Sequence, residues 1–122
     1  MGAGRKLYII LNNYVGMQEN VGIGTLLKMN VHNKPIGNLT MDDYDFEVEA
    51  YIRNGRGSVV IKKSEAIRVD ENNYMVIVDT AKVGVGQLWM ATTSYLPDGD
   101  VPGRIRPDVS IAQTTVNIIA KR

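Results

Sequence analysis

The clearest hydrophobic–polar pattern in the chain runs from Tyr44 to Ile52. Tyr44, Phe46, Val48, Ala50 and Ile52 alternate with positions that are mostly acidic. A two-residue period puts one side of an extended segment on a core and the other in water. Arg53-Asn54-Gly55-Arg56-Gly57 follows, and Asn-Gly is expected to supply the positive φ angles of a tight hairpin turn. Ser58 to Lys63 reads as the return strand. Tyr74-Met75-Val76-Ile77-Val78 is a continuous apolar run entered through Asp70-Glu71-Asn72-Asn73, the pattern of a central strand covered on both sides. From Gln87 to Leu96, Trp89, Ala91 and Tyr95 fall on one face, Leu88 and Met90 on the other. Leu7 to Leu11, Thr25 to Val31 and Thr114 to Ala120 complete seven strand candidates.

No dozen-residue window holds an apolar stripe at helical spacing. Lys62 to Val69 and Asp79 to Val83 each have room for one helical turn. Short strands punctuated by Gly, Asn and Pro favour two packed sheets over alternating strands and helices. The expected fold is all-β: an immunoglobulin-like sandwich of about seven strands, one domain over 1–122, with 1–6 as a flexible lead-in. Two stretches escape the pattern. Asn12 to Gly24 is polar and reads as a long loop or arm. Pro97 to Val109 holds three prolines and two glycines and is expected to cross between strands outside the sheets. Within it, Leu96-Pro97-Asp98-Gly99 suits a type I turn and Val101-Pro102-Gly103-Arg104 a type II turn.

Composition narrows the function more than the fold. The 122 residues include no cysteine, which removes disulfides, zinc–thiolate sites and a cysteine nucleophile. A net charge of +1, from 14 basic and 13 acidic residues, makes no electrostatic case for nucleic acid. The apolar run Leu7 to Leu11 is too short for a membrane span or signal peptide. His32 is the only histidine, and nothing in sequence pairs it with a nucleophile, so a turn residue is the simpler reading. Gly22-Ile23-Gly24 and Gly84-Val85-Gly86 each lack the third glycine and the strand-to-helix setting of a dinucleotide loop.

Asp98-Gly99-Asp100 reads as a turn, because the prolines around it break the register of a calcium loop. Asp45, Glu47 and Glu49 share the solvent side of their strand, the default place for charge. Arg53, Arg56, Lys62 and Lys63 make the hairpin basic, as soluble edges often are. Trp89 is expected in the sandwich core. Asn38-Leu39-Thr40 matches a glycosylation sequon without a secretory signal. These residues imply neither an enzyme nor a cofactor.

Four segments, Tyr44-Asp45-Phe46-Glu47-Val48, Val76-Ile77-Val78-Asp79, Val83 to Leu88 and Tyr95 to Gly103, follow one another in a familiar order. An apolar strand ends in Asp, a Gly-x-Gly turn follows, and a further strand runs into Pro-Asp-x-Asp-x-Pro-Gly. This resembles the small immunoglobulin-like domains of tailed-phage structural proteins, over about residues 44 to 110. That family includes the N-terminal domain of baseplate upper proteins and relatives in crAss-like and other gut phages.

The resemblance implies a virion protein acting through protein–protein contacts, assembled in the host bacterial cytoplasm. Baseplate proteins of the family continue into a stalk and receptor-binding region not seen here. An auxiliary or decorating capsid subunit is therefore the expected role, with a baseplate or fibre adaptor as the alternative. The expected partners are major capsid or tail and vertex proteins, and further copies of the chain. The two irregular stretches supply the candidate interface: Asn12, Tyr14, Met17, Pro97, Asp98, Asp100, Pro102, Arg104 and Arg106. A carbohydrate-binding module is a separate possibility, with Tyr8, Tyr14, Tyr51 and Tyr95 as stacking surfaces.

Overall fold

The computed structural model describes residues 7–10, as backbone, and 19–120. Nine strands lie within those residues: β1 (Leu7–Ile10), β2 (Glu19–Gly22), β3 (Leu26–His32), β4 (Asp45–Ile52), β5 (Ser58–Lys62), β6 (Ile67–Asp70), β7 (Asn73–Asp79), β8 (Gly86–Pro97) and β9 (Ile105–Ile119). They form two sheets, β1-β3-β7-β6 (sheet A) and β2-β9-β8-β4-β5 (sheet B), which make a β-sandwich. Neighbours pair antiparallel except at one edge of each sheet, where β1 runs parallel to β3 and β2 runs parallel to β9.

The alternation seen in sequence sets the core. Phe46, Val48 and Ala50 of β4 meet Leu27 and Met29 of β3, Val76 and Val78 of β7, Leu88 of β8 and Val116 and Ile118 of β9, in one buried cluster. The Phe46 ring meets Tyr74 edge-on at 5.1 Å, joining the two sheets. Burying one such aromatic stabilises the fold by roughly 1.5–3 kcal/mol. Antiparallel sheets packed on one side need apolar residues only at alternate positions. That explains β7: Tyr74, Val76 and Val78 are buried, but Ile77 is 43 % exposed, so this strand is covered on one side and not on both.

All seven expected strands are present, and both expected helical turns form. A 3-10 turn occupies Lys63–Glu65 and a single-turn helix, α1, occupies Thr80–Val83. The Asp79 carboxylate caps α1 by accepting from the Ala81 N–H at 3.1 Å. Buried Thr80 ties α1 to the β2–β3 turn, donating to the Thr25 carbonyl and accepting from the Gly24 N–H.

Several expectations are corrected. Glu19–Gly22, placed in a polar arm, is a strand, because its backbone finds a partner in β9 while only Val21 is fully buried. Ile67–Asp70 is a further strand with every residue exposed, which leaves no apolar period to read. The β4–β5 loop is less tight than Asn-Gly suggests. Asn54 alone takes a positive φ, 63°, and Gly55 N–H bonds back to Ile52. Gly57 serves packing instead, since a Cβ there would lie 2.5 Å from the Val83 carbonyl oxygen. Asn12, Tyr14 and Met17 lie outside the described residues.

The long connection between β3 and β4 is held down by charge. Asp42 accepts two bonds from the Arg68 guanidinium Nε and one from Nη2, at 2.8–3.1 Å, and one from the Tyr74 hydroxyl at 2.5 Å. The Arg68 fork, then the Tyr74 hydroxyl, hold the Asp42 carboxyl at about 2, well below its ordinary value. Beside it the Lys63 ammonium donates to the carbonyls of Met41, Asp42 and Tyr44. The same ammonium sits 5.8 Å and 5.7 Å from the Phe46 and Tyr74 ring centres. These bonds seat fully buried Met41 in the core.

Candidate interaction surface

The two longest strands, β8 and β9, form a hairpin whose pairing runs from Gly86 opposite Ile118 to Pro97 opposite Ile105. The register breaks once: Gln87 faces Asn117, yet Trp89 faces Gln113. Thr114 to Val116 therefore bulge against Leu88, and a bulge bends and twists its strand. Gln87 compensates the broken ladder by donating to the carbonyls of Thr114, at 2.6 Å, and Val116, at 2.9 Å. The Thr114 hydroxyl donates to the Leu88 carbonyl.

The bulge divides β9 in two. Beyond it, Val116 and Ile118 are fully buried and paired with β2. Before it, Ile105 to Gln113 are all exposed and, among the described residues, have β8 on one side and no strand on the other. Ile105, Val109 and Ile111 are 62 %, 57 % and 60 % exposed. They lie opposite Pro97, Thr93 and Ala91 of β8, on the outer face of sheet B.

At the far end the chain turns through 98–104. Asp98 N–H bonds the Arg104 carbonyl at 2.7 Å, and the Asp98 carboxylate accepts from the Asp100 N–H. Arg104 N–H bonds the Val101 carbonyl, with Pro102 and Gly103 between and Gly103 at φ 82°. That is the expected type II turn, for which glycine has the required freedom.

Pro97 to Val109 does not cross outside the sheets. Ile105 to Val109 belong to β9, and Pro107 is tolerated there because an edge strand can aim a proline's missing donor at solvent. Of the expected interface residues, Pro97 ends β8, Asp98, Asp100, Pro102 and Arg104 form the tip, and Arg106 lies in β9. The tip brings Pro97 and Arg104 together with Asp43, Asp45, Tyr95 and Ile105 around a shallow hollow of about 280 Å³. A second, of about 420 Å³, lies between Asp45, Glu47, Lys62, Tyr95 and Ile105.

The outer face also holds Trp89, which is not in the core. Leu88 and Met90 are buried on the opposite side, and the Arg53 guanidinium covers the indole at 5.1 Å. Tyr51 lies opposite Trp89, and the Tyr95 hydroxyl donates to Glu47 at 2.9 Å. That bond, with burial, raises the Tyr95 phenol above its ordinary value. His32 ends β3 in solvent with Nδ1 3.0 Å from Asn73 Oδ1.

Sequence reasoning missed Ile105, Val109 and Ile111. Their signal was a two-residue spacing shared with Pro107, which the proline count obscured. Among the described residues no group of three or more His, Cys, Asp or Glu is placed to hold a metal ion, and no helix is long and apolar enough to cross a membrane. Comparison with protein-family models, curated proteins and solved structures finds no match to this chain.

Proposed function

We propose that this chain is a structural protein of a tailed-phage virion, an auxiliary capsid subunit that docks on its neighbours through the outer face of sheet B. One observation carries the docking surface: Ile105, Val109 and Ile111 stand in a row, each more than half exposed, on a regular strand. An apolar row in water with hollows beside it is the pattern of a surface that finds cover in an assembly. The virion setting is supported by the sequence resemblance over about residues 44 to 110. Strand order is compatible with such a domain: lettered along the chain as A, A′, B, C, C′, D, E, F, G, the sheets read A-B-E-D and A′-G-F-C-C′, an order that immunoglobulin-like sandwiches use, with the difference that A runs parallel to B here.

Mass spectrometry of purified virions tests the reading, and particles without this chain would end it. Imaging of labelled particles separates a capsid position from a baseplate or fibre adaptor. Ile111→Glu is expected to reduce incorporation into particles while leaving the folded chain intact. The carbohydrate-binding alternative rests on Tyr51 beside Trp89, and a glycan array without hits above background removes it.

A further inference from the structure

We infer that two copies of the chain join along the half of β9 that has no second neighbour among the described residues, antiparallel about a two-fold axis at Val109, to make one continuous ten-stranded sheet. The backbone sets the terms. Asp98 N–H bonds the Arg104 carbonyl, which makes that pair a hydrogen-bonded rung of the β8–β9 ladder. Rungs alternate along antiparallel strands, so residues 106, 108, 110 and 112 turn their N–H and C=O toward β8. Residues 105, 107, 109, 111 and 113 turn theirs to the open edge, and Pro107 alone among them has no donor. An exposed edge of nine residues with alternate apolar side chains is a template for another strand.

Registers can be decided one by one. Those that set an outward-facing residue against an inward-facing one form no ladder. Centring on Pro107 drives two proline rings into the gap at the axis, where neither can donate. Centring on Asp108 sets two carboxylates opposite each other, which is unfavourable. Centring on Ser110 or beyond sets Arg104 of the second copy, the last residue paired with its β8, level with Val116, where β2 joins the edge. Val109 is the midpoint of the free segment. There Ile105 meets Gln113, Pro107 meets Ile111 and Val109 meets itself. On the inner side the Ser110 hydroxyl faces Asp108, to which it can donate. An isologous contact of this kind uses up both edges and closes as a dimer.

This inference stands on the edge's geometry and not on the virion reading. A dimer absent from particles would leave it standing and end the other; a monomer found in particles would do the reverse. The test is sedimentation equilibrium of the full chain over a concentration series. The wild type is expected to be a reversible monomer–dimer. Val109→Pro leaves the β8 ladder untouched, as Pro107 already does, and is expected to abolish the dimer with an unchanged circular dichroism spectrum. Pro107→Val restores two donors per dimer and is expected to tighten association on the order of tenfold. A wild type that stays monomeric throughout, open-ended growth in place of a dimer, or a Pro107→Val chain no tighter than wild type would overturn the proposal.

Discussion

The two halves of β9 are built from the same kinds of residue and have opposite fates. Val116 and Ile118 have no exposed surface, while Val109 and Ile111, of the same types at the same spacing, are more than half exposed. Local preference for the strand is equal in both, since β-branched residues suit a pleated backbone wherever it lies. What differs is face and cover. Val116 and Ile118 point into the core with β2 alongside, whereas Val109 and Ile111 point away from it on the outer face of sheet B, where, among the described residues, their strand has β8 alone beside it. Apolar alternation thus specifies a strand; whether its apolar residues are buried depends on what packs over them.

The contrast can be broken most sharply by trimming the two halves alike. Ile118→Ala is expected to cost about 2–5 kcal/mol by denaturant unfolding, because it removes buried methylenes and leaves a cavity. Ile111→Ala is expected to change stability by less than about 0.5 kcal/mol. Equal costs would mean that the near half is also covered within one chain.

An edge of the other sheet, β6, is built differently. It has four residues, a register shift at Arg68–Asp70, and its Arg68 clamped to Asp42, all of which discourage a further strand. Asp42 titrates at about 2 in the folded chain against an ordinary 3.8. A depressed carboxyl stabilises the fold above the unfolded value and loses that contribution as pH falls from about 4 toward 2. Thermal unfolding of the wild type should weaken across that window. Asp42→Asn is expected to be less stable at neutral pH, by less than Ile118→Ala, and flatter between pH 4 and 2. The smallest effect belongs to the outer face. Arg53→Ala removes the guanidinium over Trp89 and is expected to cost about 0.5–1 kcal/mol. It should also red-shift the emission of this sole tryptophan, and an unchanged spectrum would show that the indole has no such cover.

Much of the fold was legible because it rests on local pattern. The β4 alternation, the apolar run of β7 and the Asp79-led turn of α1 each follow from a few adjacent residues. The losses came where a distant partner decides. Glu19–Gly22 becomes a strand only because β9 lies parallel to it, nearly a hundred residues later in the chain. Ile67–Asp70 carries no buried position to mark it. Trp89 shows a different failure: its phase, opposite Leu88 and Met90, already placed it outside, and the general habit of sandwich tryptophans pointed the wrong way. At the candidate surface the tip turn was readable from Pro102-Gly103. The apolar row behind it was not, because a proline that would break a central strand is harmless on an edge.

The parallel ladder between β2 and β9 has a mechanical consequence. Two strands pointing the same way place the chain leading into Glu19 and the chain leaving Ile119 at opposite ends of their shared rungs. Tension applied through those two ends slides the strands along each other and loads the rungs together, where a hairpin would unzip one rung at a time. Stretched singly, such a molecule should hold until that short ladder ruptures as a unit and then give way in one step.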